Sequence, residues 1–157
     1  MADQTDAYWQ RYADLGFLPP LVTGIKLEVR IKDASCNGTA WDNYIEVNNG
    51  CFSNAFPNNE LMQYVVGHEV FHRIQFAYDS DWFPDWDDNA WLYEGTARMM
   101  EDKTFANIDS FANAASAQFS YNDEINDYLV NTNADMTSFG MRYESALFWN
   151  YFAEQFG

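Results

Sequence analysis

The segment from Glu60 to Tyr78, ELMQYVVGHEVFHRIQFAY, constrains the fold more than any other part of the chain. Its apolar side chains recur at helical spacing on nearly every side, and Asn58 or Asn59, after Pro57, can cap its first turn. A helix of this kind has to be buried at the centre of a domain. It also carries both histidines of the chain, so polar groups on a buried helix need an explanation.

The two histidines belong to the pattern His68-Glu69-Val70-Phe71-His72. Residues four apart share one face of a helix, so both imidazoles can bind one ion, and Glu69 can address a water molecule on that ion. The alternative is a pair of hydrogen-bonded core histidines, which the glutamate and the helix disfavour. The motif predicts a zinc site with Glu69 as the general base.

A catalytic zinc ion usually has three protein ligands and one open position. The chain has no third histidine, so a carboxylate must complete the set. The best candidate is Glu94, in a second helix that is predicted to open at Asn89. Ala97 is small enough to let helices approach, and Glu101, on the same face as Glu94, can orient a ligand histidine. The alternative for both glutamates is a solvated surface position.

A small sheet is predicted before the histidine helix. Residues 6–15 have a helical pattern that ends at Gly16, and 22–32 alternate as a half-buried strand whose core-facing side chains are Ile25, Leu27, Val29 and Ile31. Residues 33–39 have turn composition, and 41–47 read as a second strand. Its part from Asn43 to Val47 is a candidate edge for an extended peptide.

Further helices are predicted at 108–119, 122–130 and 138–156. Strands come first and helices afterwards, which favours an α+β domain. A chain of 157 residues is the length of one domain and can bury a sizeable core. We therefore expect residues 1–157 to form a single domain.

The segment 79–88, DSDWFPDWDD, is expected to be an acidic loop. Clustered carboxylates can bind calcium, although the EF-hand spacing is absent and a solvated loop is the commoner outcome. The aromatic residues of this loop either line a cleft or cover the core. The candidate calcium ligands are Asp79, Asp81, Asp85, Asp87 and Asp88, and the aromatic residues are Trp82, Phe83 and Trp86.

The formal net charge of -16 disfavours nucleic acid and anionic membrane surfaces as partners. We see no apolar run long enough to span a membrane and no signal peptide. Cys36 and Cys51 bracket turns and a strand, which favours a disulfide over two buried thiols if the protein is in an oxidising compartment.

The pattern HEVFHRIQ followed by WLYEGTARMMED resembles the gluzincin branch of zinc metallopeptidases, the thermolysin-like and aminopeptidase-like enzymes and their uncharacterised bacterial relatives. The resemblance covers roughly residues 60 to 102. It implies a zincin-like fold, with a small N-terminal sheet packed on an active-site helix and a mostly helical C-terminal part. It also implies that His68, His72 and Glu94 bind zinc, that a peptide or protein is the substrate, and that the protein is secreted.

A weaker resemblance extends to the segment RYESALFW, which is similar to a family helix that begins with a Tyr-Glu pair. It implies that Tyr143 stabilises the oxyanion of the transition state; the alternative is a core tyrosine. The glycine-rich exopeptidase motif is missing, which favours an endopeptidase. Arg98 stands where thermolysin-like enzymes have an aspartate. Family members usually continue beyond this helix, so the chain is expected to be either a fragment or a minimal version.

Two other functions remain open on the sequence alone. One is a non-catalytic zincin that binds a protein or carbohydrate partner, which the intact Glu69 disfavours because a binding module needs no general base. The other is a metal-dependent hydrolase that acts on a non-peptide bond.

Overall fold

The computed structural model describes residues 2–20, 26–35, 37–41, 43–52, 60–78, 86–104, 129–130 and 133–157. These residues contain four main α-helices and one three-stranded sheet, so the predicted α+β class is confirmed. They form two compact units, residues 1–80 and 81–157. Among the described helices, none has the length and apolar character needed to cross a bilayer.

The sheet of the first unit consists of β1 (Glu28–Lys32), β2 (Gly38–Ala40) and β3 (Tyr44–Asn48). The strand order is β1-β3-β2, with β1 parallel and β2 antiparallel to β3. The central strand supplies the core, because Ile45 and Val47 are completely buried. A short 3-10 helix, Asn49–Phe52, follows β3.

The strand predictions were only partly right. The alternation in 22–32 correctly places a strand, although β1 covers only Glu28–Lys32, and 22–25, with Ile25, lie outside the described residues. Ile31 is 62% exposed although its partner Val47 is buried, because β1 lies at the edge of the sheet. The turn predicted at 33–39 runs into β2, whose three residues carry no alternation of their own. The candidate peptide edge at Asn43 to Val47 is wrong, since β3 is paired on both sides.

Helix α1 (Ala2–Asp14) starts earlier than predicted and ends at Asp14, two residues before Gly16, whose φ of +89° suits a glycine. Its buried face carries Tyr8 and Tyr12, and α1 packs against the histidine helix. The Tyr12 hydroxyl donates a hydrogen bond to the carbonyl oxygen of Gly67 at 3.0 Å. The same glycine leaves room for the Tyr8 ring, because a Cβ there would overlap it.

The histidine helix α2 (Glu60–Tyr78) confirms the prediction at its C-terminal end, while the capping residues Asn58 and Asn59 lie outside the described residues. Between Met62 and Phe76 every side chain is buried except two half-buried glutamines. Helix α2 packs on β2, on β3 and on α1. The prediction of a central, buried helix is therefore confirmed within this unit.

The second unit contains α3 (Trp86–Thr104) and α4 (Ala146–Phe156), which pack on each other. A Cβ at Gly95 would overlap the hydroxyl of Ser145, so α3 contacts the residue that precedes α4 at this glycine. The Ser145 hydroxyl donates to the carbonyl oxygen of Trp91 at 2.6 Å, and the indole N–H of Trp149 donates to the same oxygen at 3.1 Å. The two indole rings stack with centroids 5.1 Å apart.

Two helix predictions in this unit need correction. Helix α3 begins at Trp86 rather than Asn89, so Asp87 and Asp88 occupy its first turn, where carboxylates interact favourably with the helix dipole. The helix predicted over 138–156 is broken into a 3-10 turn, Phe139–Met141, a non-helical stretch over 142–145, and α4. The helix predicted at 108–119 lies outside the described residues, as does most of that at 122–130.

Cys51 is buried and disulfide-bonded. The chain has two cysteines, so the partner is Cys36, which itself lies outside the described residues. The predicted disulfide therefore forms, and it joins the segment before β2 to the 3-10 helix after β3.

We predict that Gly67→Ala destabilises the first unit despite the higher helix propensity of alanine. Alanine should gain up to about 1 kcal/mol in a helix. Overlap with the buried Tyr8 ring should cost about 1 to 3 kcal/mol, because a packed core adjusts poorly. Chemical denaturation of wild type and variant measures the difference.

Two comparisons separate this steric effect from a general effect of the substitution. Gly140→Ala serves as the control, because the nearest atom to a Cβ there is 4.0 Å away. In a Tyr8→Leu background Gly67→Ala should cost less than in wild type. An equal loss of unfolding free energy in wild type and in the Tyr8→Leu background would show that overlap with the Tyr8 ring is not the cause.

Candidate metal site

The two histidines of α2 are placed to share a ligand. Their ring centroids are 4.5 Å apart and their ring planes make an angle of 86°. Both side chains are buried, with 8% of His68 and 4% of His72 exposed. The i, i+4 spacing of the motif therefore produces the close pair of imidazoles that the sequence predicts.

His72 is in hydrogen-bond contact with a residue that the sequence reasoning missed. Nδ1 of His72 lies 2.7 Å from Oε1 of Gln75, one helical turn further along. An amide oxygen accepts hydrogen bonds and cannot donate them, so the bond requires the proton on Nδ1. The lone pair of the neutral ring is then on Nε2. The i, i+3 spacing on a helix was the signal that could have identified Gln75.

Glu69, the predicted general base, lies under the first residue of β2. A Cβ on Gly38 would come within 2.5 Å of Oε1 of Glu69 and 2.7 Å of its Cγ. Only glycine therefore allows the strand backbone to approach this carboxylate so closely. The Glu69 side chain is 5% exposed, so its environment is largely protein. No local sequence signal connects Gly38 with Glu69, because the packing of α2 on β2 brings them together.

Arg73, next to His72, is completely buried. Its Nη1 donates a hydrogen bond to the carbonyl oxygen of Trp41 at 2.5 Å, and its guanidinium lies 4.7 Å from the centroid of the Phe76 ring. Trp41 opens the loop between β2 and β3, and its own N–H donates to the carbonyl oxygen of Tyr44. Arg73 thus connects the β2–β3 loop to α2, the helix that carries the histidine motif.

Glu94 is placed by α3. Its side chain is 8% exposed, so the alternative of a solvated carboxylate is wrong. The adjacent Gly95 meets Ser145, and Ala97, one turn further along, is completely buried. The small residues Gly95 and Ala97 therefore allow neighbouring groups to pack closely against α3 beside Glu94.

The three predicted metal ligands offer a suitable set of atoms. One ligand atom from each of His68, His72 and Glu94 can be chosen so that all lie within 4.8 Å of one another. Two imidazole nitrogens and one carboxylate oxygen are a ligand set typical of catalytic zinc, which leaves a fourth position open. The chemistry of these side chains and their burial fit a zinc ion.

Glu101 has a different environment from the solvated alternative considered for it. It is 2% exposed, and its Oε2 accepts a hydrogen bond from Nη1 of Arg98 at 2.9 Å. Arg98 is itself 4% exposed. A role for Glu101 in orienting a ligand histidine stays a prediction, whereas its ion pair with Arg98 is established.

Tyr143 lies in the non-helical stretch before α4, half-buried, with the guanidinium of Arg142 5.0 Å from its ring centroid. It does not begin a helix, contrary to the resemblance. Of the candidate calcium ligands, Asp87 and Asp88 are exposed in α3, and Asp79, Asp81 and Asp85 lie outside the described residues. The calcium prediction therefore gains no support.

Comparison of the chain with models of protein families, with curated proteins and with solved structures finds no match. The assignment of function therefore depends on the chemistry of the residues described above.

We predict that the Arg98–Glu101 pair is essential for the stability of the second unit. Glu101→Gln removes the negative charge from a buried ion pair with Arg98, and breaking a buried pair by changing one partner should cost about 3 to 5 kcal/mol. Denaturation monitored by tryptophan fluorescence measures the change, since Trp91 and Trp149 stack within this unit.

The matched control is Glu154→Gln. Glu154 accepts from Lys103 at 3.1 Å, and the two side chains are 55% and 33% exposed. This exposed pair should contribute about 0 to 1 kcal/mol. Similar losses in the two variants would show that burial does not govern the Arg98–Glu101 pair.

Proposed function

We propose that this chain is a zinc-dependent peptidase of the zincin fold, related to the gluzincins, with His68, His72 and Glu94 as metal ligands. The observation that carries the proposal is the grouping of these three side chains together with Glu69 on the same helix as the histidines. A zinc site with a purely structural role does not require an additional carboxylate, such as that of Glu69, next to its ligands. An enzyme that hydrolyses amides does require such a carboxylate, because it needs a general base.

The role of zinc in this proposal is to lower the pKa of a water molecule and to polarise the substrate carbonyl group. Glu69 accepts a proton from the attacking water at a carboxylate oxygen. As the C–N bond breaks, the same carboxyl group gives that proton to the nitrogen of the leaving amine. The burial of Glu69 keeps its carboxylate away from bulk water.

In the proposal, the peptide lies along β2 rather than along β3. The strand order gives β2 one strand neighbour, so among the described strands its other edge is open to an added strand. Gly38 at the start of β2 is the residue whose backbone approaches Glu69. A peptide hydrogen-bonded to this edge would pass close to the general base.

Three further parts of the proposal come from the sequence. Tyr143 donates a hydrogen bond to the oxyanion of the transition state. The cleavage is internal rather than at a free N-terminus, because the glycine-rich exopeptidase motif is missing. The protein is secreted, which the disulfide of Cys51 supports, because disulfides persist mainly in oxidising compartments.

We expect one zinc ion per chain in wild type, and its loss or strong weakening in His72→Ala and in Glu94→Ala. Each variant removes one of three ligands from a site that needs all of them. Elemental analysis of protein purified without a histidine tag or chelator measures the metal content. Glu154→Ala is the control for loss of a carboxylate, because its side chain is 55% exposed.

Wild type that binds no zinc after reconstitution would refute the proposal. Zinc that persists in Glu94→Ala would leave the histidine motif intact but would show that Glu94 is not the third ligand.

We also predict that Glu69→Gln and Gly38→Ala each abolish most hydrolysis of casein while zinc binding is retained. Glutamine cannot accept the proton, and the Cβ that Gly38→Ala introduces pushes against the Glu69 carboxylate. Loss of general-base catalysis should lower kcat by about 10²- to 10⁴-fold. Gly140→Ala, in open space, should leave activity unchanged.

The parallel measurement of zinc separates the possible results. Full zinc content with no hydrolysis of any peptide by wild type would favour the non-catalytic binding module instead. Undiminished activity in Glu69→Gln would rule out its role as general base.

A further inference from the structure

We infer that Gln75 is a positioning residue for the metal, because it holds His72 in the tautomer whose Nε2 can bind zinc. This inference rests on the proposed zinc site and extends it to a residue outside the HExxH motif. The observation is the 2.7 Å contact between Nδ1 of His72 and Oε1 of Gln75.

The tautomer matters because a neutral imidazole has one nitrogen that donates a hydrogen bond and one that can bind a metal. If the proton were on Nε2, the lone pair would point towards Gln75 instead. The acceptor oxygen of Gln75 therefore selects the Nδ1–H form before any metal arrives. This pre-organisation reduces the cost of assembling the ligand set, and partners of this kind affect metal affinity strongly.

Gln75 is suited to this role by its place on the helix. It lies one turn after His72 on the same face of α2, in a stretch where most neighbours are buried and apolar. It is half-buried, so water competes only in part for its amide oxygen. A neutral amide also adds no negative charge to the first unit beside His72, unlike the carboxylates that often contact zinc-binding histidines.

The first test is zinc affinity, measured by competition with a chromophoric chelator. Gln75→Met keeps an unbranched side chain of similar length and good helix propensity but removes the acceptor. We expect its zinc affinity to fall by about 10- to 100-fold. Gln75→Glu keeps an acceptor oxygen and should remain within a few-fold of wild type. Gln10→Met makes the same change at an exposed position of α1 and should have no effect.

The second test observes the tautomer directly. Long-range ¹H–¹⁵N correlation spectra of the imidazoles contain signals from two histidines, so His72 is assigned by their absence in His72→Ala. In metal-free wild type at a pH where the rings are neutral, we expect the Nδ1–H form at His72. In Gln75→Met we expect a mixture with a substantial Nε2–H population.

The outcomes separate this inference from the proposed function. Wild type that binds no zinc refutes the proposed function. Wild type that binds zinc, with Gln75→Met equal to it in affinity and tautomer, overturns the inference alone. A variant that loses affinity while its tautomer is unchanged also overturns it, since Gln75 would then act through packing. If Gln75→Met fails to fold, the wild-type spectrum still decides: an Nε2–H ring at His72 contradicts the inference.

Discussion

The burial of α2 is the constraint on which the rest of the first unit depends. A helix that is enclosed on nearly all sides can keep polar side chains only where each finds a partner inside the protein. The partners on α2 are specific. Gly67 receives the hydroxyl of Tyr12 at its carbonyl oxygen, His72 bonds Gln75, and Arg73 reaches the carbonyl oxygen of Trp41. The polar groups of the motif are therefore part of the packing of this helix.

Close approach of neighbouring groups at glycines is a second constraint, and it recurs beside the candidate site residues. Gly38 lets β2 come against Glu69, Gly67 admits the Tyr8 ring one residue before His68, and Gly95 meets Ser145 directly after Glu94. In each place a Cβ would overlap a neighbour, so the missing side chain allows the approach. These glycines lie beside the candidate catalytic and ligand residues, which limits how far those residues can shift.

The sequence predicted the histidine helix and the close pair of imidazoles well, because both follow from spacing within one segment. Periodicity placed α2, and the four-residue interval of the motif placed both imidazoles on one face. The sheet was less predictable. Ile31 occupies a core-facing position in the alternating pattern, but it is exposed because it lies on the edge strand β1. Strand β2 forms through pairing with β3, and Gly38 meets Glu69 because α2 packs on β2. Such contacts between distant residues leave no local pattern.

The energetics of the proposed ligand set would link metal binding to the stability of the fold. Burying two imidazoles and a carboxylate costs free energy, because each loses its hydration and must find its partners within the protein. A divalent cation between them would offset the charge of Glu94 and occupy the lone pairs of both rings. Zinc would then bind the folded chain far more tightly than the unfolded one, and its binding free energy would contribute to folding. The partners of His72 and Arg73 matter in this balance, since they satisfy the polar groups that the metal does not reach. In the proposed site, the same few buried side chains would therefore contribute both to the stability of the fold and to metal binding.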